Sequence, residues 1–252
     1  MRAVVVGASS GLGRCIGVGL SKRGAQVALL ARRKERLDDA AAEAGPGAVA
    51  IECDVTDEAS VASAIGKAAA ELGGIDALVY TPAIGPLARL VDTDAETWRK
   101  VFDTNVTGAA VVTSAAVPHL TASSGTALYL SSVSASLTPP WPGLGAYAVS
   151  KAALDKMIEA WRVEHPTVGF TRCIVGDCAG GEGDSATAFP FASEWDFDLL
   201  GELHPVWEAR GLLAGCFIDV EELVKAVDGV LQTGHSIAMP SITLAPRPTA
   251  AQ

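Results

Sequence analysis

Short apolar runs alternate along the chain with longer stretches in which apolar residues recur every three or four positions. The runs at Arg2–Val6, Gln26–Ala31, 48–53, 76–80, Thr126–Ser132, 168–175 and 236–244 are rich in aliphatic and β-branched residues. Such runs read as parallel strands covered on both faces. Between them, Leu154, Met157, Ile158 and Trp161 repeat at i, i+3, i+4 and i+7, as do Val220, Leu223, Val224 and Val227; both patterns predict amphipathic helices. Strand and helix alternating in this way predict an α/β fold, a Rossmann-type doubly wound parallel sheet with helices on both faces and right-handed crossovers. No composition shift, linker or repeat divides the chain, so residues 1–252 are expected to form a single domain. One stretch breaks the rhythm: 179–213 is rich in Gly, Asp and Glu, then carries Phe189, Phe191, Trp195, Phe197 and Trp207. A long insertion with clustered aromatics between strand and helix predicts a substrate lid. A surface excursion covering a subunit interface is the alternative.

Composition narrows the partners. The 252 residues are 49% hydrophobic and 19% charged, enough to build a large core, and the net charge is -10. So negative a surface repels nucleic acid and anionic membranes, and no apolar run is long enough to span a bilayer. The first strand is expected from residue 2, so no signal peptide is expected ahead of it. Five scattered cysteines and four isolated histidines indicate neither a disulfide framework nor a metal site. The expected setting is therefore a reducing cytoplasm, and the expected partner a small-molecule substrate.

Candidate chemistry begins directly after the first run. Gly7-Ala-Ser9-Ser10-Gly11-Leu12-Gly13 lies between a strand and a helix expected over 12–23. Glycines there let the backbone turn sharply, and the helix N-terminus presents free N–H groups to a pyrophosphate. The same residues also spell G-x-S-x-G, the hydrolase nucleophile elbow. That reading needs strands and an oxyanion loop upstream, where only six residues exist, and a partnered late histidine, which His235 is not. The second run ends at Ala31 and meets Arg32-Arg33. An acidic residue there would hold a ribose 2′-hydroxyl and select NAD; a guanidinium instead pairs with a 2′-phosphate. Arg32, supported by Arg33, thus predicts NADP(H) as the preferred cofactor, with NAD(H) possible.

Tyr147 and Lys151 stand at i and i+4 near the start of a predicted helix, so they share one face. A nearby cation favours the phenolate, and a phenol so tuned can exchange a proton with an alcohol or ketone oxygen. With the glycine turn, with Cys53-Asp54-Val55-Thr56-Asp57, with Asn105 in Asp103-Thr-Asn-Val-Thr-Gly108 and with Leu130-Ser-Ser132, this pair resembles the short-chain dehydrogenase/reductase family in its compact single-domain branch. The resemblance runs in order over nearly the whole chain. It implies that Asp54 holds the adenine amino group and Val55 lines it. Tyr147 would be the general acid/base, Lys151 would lower its pKa and bind the nicotinamide ribose, and Ser132 would polarise the carbonyl. Asn105 would hold a water in a proton relay to Lys151. A homodimer or homotetramer is implied as well, with the helix that begins near Tyr147 as a possible interface.

The chain departs from the family pattern in several places. Val6 stands where threonine is frequent, and Tyr80-Thr81-Pro82-Ala83 replaces the usual Asn-Asn-Ala-Gly. Asp177-Cys178 replaces Pro-Gly, and the closing run lacks its Asp-Gly-Gly ending. Ser132 lies two residues further from Tyr147 than the family spacing, which by itself would choose Ser134. The expected function is interconversion of a small, hydrophobic or cyclic secondary alcohol and its ketone by hydride transfer. A catalytically silent NADP(H)-binding sensor or scaffold on the same fold is the alternative.

Overall fold

Strands apolar at every position need cover on both sides, and the fold supplies it. The computed structural model of the 252-residue chain describes residues 1–180 and 190–247. In its first half, β1 (Arg2–Val6), α1 (Gly11–Lys22), β2 (Gln26–Ala31), α2 (Lys34–Ala44), β3 (Val49–Glu52), α3 (Glu58–Leu72) and β4 (Ala77–Tyr80) alternate strictly. There follow α4 (Ala95–Phe102), a π-helical turn at Asp103–Thr107, α5 (Gly108–Ser123), β5 (Thr126–Ser132), the short α6 (Val133–Ser136), α7 (Gly145–Glu164) and β6 (Gly169–Val175). The chain closes with β7 (Cys178–Ala179), α8 (Phe197–Ala209), β8 (Ile218–Asp219), α9 (Val220–Leu231) and β9 (Ser241–Leu244).

Seven strands form one parallel sheet in the order β3-β2-β1-β4-β5-β6-β9. Successive side chains of a strand point to opposite faces, so each strand feeds two cores. Val4, Val6, Ala28 and Leu30 pack with α3, α5 and α7, whereas Ala3, Val5, Val27 and Leu29 pack with α1, α2 and α9. Each fully buried Val or Leu contributes roughly 1.5–3 kcal/mol. The strand order reverses between β1 and β4, and at such a point the carboxyl ends of the strands open a ligand crevice.

Two features differ from the sequence expectation. The closing strand is four residues long, not nine: pairing starts where the Arg172 N–H donates to the Pro240 carbonyl, and 236–238 are exposed. Apolar content alone overestimates an edge strand, because only its paired length is fixed by hydrogen bonds. The insertion is also more ordered at its base than a plain loop. Strands β7 and β8 close its neck as a parallel two-residue ladder, and the Ile218 N–H donates to the Asp177 carbonyl at 2.8 Å. Residues 181–189, and with them Phe189, lie outside the described part.

Candidate active site

The glycine turn sits at the switch point. Gly7 has φ +84° and Gly11 φ +56°, conformations that strongly favour glycine. A Cβ at Gly13 would lie 2.3 Å from Thr81 Oγ1 and 2.5 Å from the Gly7 carbonyl oxygen. Thr81 thus fills the hollow beneath the turn, its hydroxyl donating to the Val6 carbonyl at 2.6 Å. Asp57, Asp94, Asp196 and Asp219 cap α3, α4, α8 and α9 with their side chains, but Ser10 leaves the N-terminus of α1 without a side-chain cap. Open N–H groups at a helix N-terminus suit an anion, so the turn fits a dinucleotide phosphate.

The two arginines after β2 divide their tasks. Arg33 donates to Ser9 Oγ at 3.1 Å and to Ser10 Oγ, which ties it to the turn. Arg32 instead lines a cavity of about 410 Å³ with Glu52, Asp54, Asp57, Ser60, Ser63 and Lys67. Burial works to raise the Asp54 pKa, but hydrogen bonds from the Thr56 N–H and hydroxyl, with the Arg32 charge, bring it below the usual value. Val55 is buried and packs against Gly108, where a Cβ would also meet the Tyr80 hydroxyl at 2.9 Å.

Tyr147, Lys151 and Ser132 come together where α7 crosses the carboxyl end of β5. The Ser132 hydroxyl lies near enough to Tyr147 to favour its phenolate, and Ser134 Oγ lies 3.0 Å from Ser132 Oγ, so Ser132 is the serine that bears on the phenol and Ser134 stands behind it. Lys151 is 2% exposed; its Nζ donates to the Leu130 carbonyl at 2.7 Å and lies 5.8 Å from the Tyr147 ring centre. Burial drives the pair apart: it pushes Tyr147 up to about 12, against the pull of the nearby Ser132 hydroxyl, and pulls Lys151 down to about 8, against Asp155. Both therefore carry their protons at neutral pH.

Asn105 occupies the π-helical turn, a distortion that recurs at functional sites. Its two amide protons go to the Ile84 carbonyl and Ser150 Oγ, both at 2.9 Å, and Oδ1 accepts from the Ile84 N–H at 2.8 Å. Ser150 in turn donates to the Tyr147 carbonyl. The side chain thus staples the loop after β4 to the Tyr147 helix, and it makes no direct contact with Lys151 among these bonds. Tyr80, the first residue of the altered run, donates to the Thr104 carbonyl at 2.5 Å and so braces the same turn.

Above the phenol lies the insertion. The Phe191 ring meets the Tyr147 ring edge-on at 4.9 Å, then Trp195 at 5.7 Å; Trp195 continues to Trp207, and Trp207 to Trp141. Trp195 Nε1 donates to the Gly85 carbonyl and Trp207 Nε1 to the Pro142 carbonyl, so these aromatics are hooked as well as packed. Leu87, Leu144 and Leu203 complete this separate cluster. Asp177, out of place by the family pattern, accepts from the Ala214 N–H and holds the end of the insertion; burial raises its pKa.

The family model described as short chain dehydrogenase matches residues 1–178, more than half of the chain. The chain belongs to the short-chain dehydrogenase/reductase family. A short chain dehydrogenase of Pseudocercospora fijiensis is 38% identical over 169 residues, 64% of this chain and 54% of that protein. A cis-4-hydroxycyclohexanecarboxylate dehydrogenase of Sinomonas cyclohexanicum is 33% identical over 172 residues, 67% of this chain and 68% of that one. This short-chain dehydrogenase/reductase thus spans about half the length of the first relative. The crystal structure of a short-chain type dehydrogenase/reductase from Mycobacterium marinum superposes with a TM-score of 0.82 at 26% identity, covering 96% of this chain and 93% of that one. Among the described residues of this family member, no helix is long and apolar enough to cross a membrane.

Sequence reasoning missed three residues of this short-chain dehydrogenase/reductase site: Thr81 under the glycine turn, Ile84 on Asn105, and Asp155 beyond Lys151. Only the last left a readable signal, an acidic residue between Leu154 and Ile158 on the buried face of a helix.

Proposed function

We propose that this chain is an NADP(H)-dependent oxidoreductase that interconverts a small hydrophobic or cyclic secondary alcohol and its ketone. The observation that carries the reading is the set of groups around Tyr147: the Lys151 ammonium, held on the Leu130 carbonyl, 5.8 Å from its ring, with the Ser132 hydroxyl bearing on the phenol. The bound nicotinamide supplies the hydride. Ser132 donates to the substrate oxygen as negative charge gathers there, and Tyr147 gives that oxygen its proton. Lys151 then steadies the phenolate left behind. With Tyr147 pushed up to about 12, the phenol is an acid at neutral pH, which is the state that carbonyl reduction requires.

Arg32, beside the adenine-side cavity, and Arg33, on Ser9 and Ser10, support a 2′-phosphate and hence NADP(H). NAD(H) remains the second cofactor of this reading. Asp54 and Val55 line the adenine, and Asn105 keeps the loop after β4 beside the cofactor while linking Lys151 to solvent through a water. The segment 179–213 is the lid of a single dinucleotide-binding domain, and Phe191, Trp195 and Trp141 favour an apolar, ring-shaped substrate. The name of the Sinomonas relative, with its cyclohexane ring, agrees with that choice. In this reading the protein works in the cytoplasm as a homodimer or homotetramer.

One observation favours the second reading, a silent NADP(H)-binding sensor: the Phe191 ring lies on Tyr147, where a substrate would stand. A panel of cyclic ketones, aldehydes and quinones incubated with NADPH separates the two. The expected result is oxidation of NADPH by a cyclic ketone, reduced about 10²–10⁴-fold in Tyr147→Phe with cofactor affinity unchanged. Tight NADPH binding without turnover of any member of the panel would instead favour the sensor.

A further inference from the structure

Among the described residues, the chemistry above leaves one buried carboxylate unused. Asp155 lies one turn beyond Lys151 on α7, so Tyr147, Lys151 and Asp155 stand in file at i, i+4 and i+8. Asp155 is 5% exposed, and neither carboxylate oxygen has a hydrogen-bond partner of good geometry among the described residues. A buried carboxylate left this way is costly unless a charge nearby compensates it.

The charges around it are few. On α7 they are Lys151 and, further out, Glu159. From β6, Arg172 Nη1 lies 3.9 Å from Asp155 Oδ2, but it is also 3.4 Å from Glu159 and partly exposed. From β5, Ser131 Oγ faces the carboxylate at a geometry too poor for a full hydrogen bond, yet it favours the charged form. Lys151 has the mirror-image problem. Its ammonium is enclosed, its hydrogen bond goes to a neutral carbonyl, and Asp155, buried one helical turn away and beyond direct ion-pair distance, is the carboxylate that bears on it.

We propose that Asp155 is a positioning residue of the hydride-transfer reaction, acting through Lys151 by keeping its ammonium charged inside the fold. This rests on the reading in which Tyr147 and Lys151 carry the chemistry. The direction of each effect agrees. Burial pulls Lys151 down to about 8 while Asp155 pushes it back up. Burial raises Asp155, while Ser131, Arg172 and Lys151 pull it down and Glu159 opposes them. A charged Lys151 is present below its pKa and lost as pH rises through it. Removing the Asp155 charge therefore moves that loss to lower pH.

The test follows the Lys151 side chain of the full chain through a pH titration by nitrogen-detected NMR, its signal assigned with Lys151→Met, alongside the pH profile of kcat. Asp155→Asn is expected to lower the Lys151 midpoint by about one pH unit, which is tenfold in the charged-to-neutral ratio above it. The alkaline limb of kcat should shift the same way, with cofactor affinity unchanged. Asp155→Glu should restore most of both, and Asp155→Ser gives the same readout if the amide variant does not fold. An unchanged Lys151 midpoint in the neutral variants, even with a lower melting temperature, would overturn the proposal and leave Asp155 a purely structural role. A shifted midpoint in a protein whose turnover ignores Tyr147 would keep the Asp155–Lys151 coupling and sink the proposed chemistry, so the two failures are distinguishable.

Discussion

At the nucleotide end of the cleft the site is made of backbone; at the substrate end it is made of side chains. The turn from Gly7 to Gly13 presents N–H groups and carbonyls whose positions are set by β1, β4 and α1, with Thr81 wedged beneath. The wall over Tyr147 is a chain of rings, Phe191 to Trp195 to Trp207 to Trp141, held by two indole hydrogen bonds to loop carbonyls. The first region cannot change without the sheet changing. The second can be rebuilt ring by ring while the sheet stays as it is. Such a division lets the substrate wall change while the turn stays, since function resides in the site and not in the fold.

The same substitution made at both ends would test the contrast most sharply. At Gly13 a Cβ meets the Gly7 carbonyl, which is backbone and cannot yield. Gly13→Ala should therefore cost about 3 kcal/mol in denaturant unfolding and abolish NADPH binding measured by fluorescence. A fully folded Gly13→Ala that still binds NADPH would break the comparison. An intermediate effect belongs to Arg32, a side chain at the backbone-built end. Arg32→Gln should weaken NADPH about tenfold and leave NADH nearly unchanged, because an exposed guanidinium–phosphate pair is partly screened by solvent. Equal losses for both cofactors would show that Arg32 does not read the 2′-phosphate. The smallest effect on stability is expected at Gly85, where the Cβ would lie 2.1 Å from Phe191 Cζ, the far end of a side chain of the insertion, and 3.1 Å from the Tyr147 ring. Gly85→Ala should displace that ring at a cost below about 1 kcal/mol, and its mark should be a changed KM for ketones. A stability loss as large as that of Gly13→Ala would mean that the aromatic insertion belongs to the core.

Much of this was legible in order along the chain. The bounds of β1, β2 and β5 coincide with the apolar runs because both faces of those strands are buried, so pattern and pairing end together. The last strand was overestimated because at an edge they do not. The Tyr147–Lys151 pair could be read from spacing, since one helical turn brings them to one face. The serine could not be assigned that way. The choice between Ser132 and Ser134 depends on how α6 and the loop to α7 fold back, and only there does Ser132 meet Tyr147. Nor could the unusual Tyr80-Thr81 run be read as more than a departure, because its partners, Thr104 and the glycine turn, lie far away along the chain.

The sequence by itself determined the parallel sheet, the glycine turn after its first strand and the phenol–ammonium pair on α7, because each is encoded within one or two turns of local periodicity. Tertiary structure alone decided that Thr81 lies under Gly13, that Phe191 covers Tyr147 and that Arg172 faces Asp155. Those contacts join segments that only the packing of distant elements brings within reach.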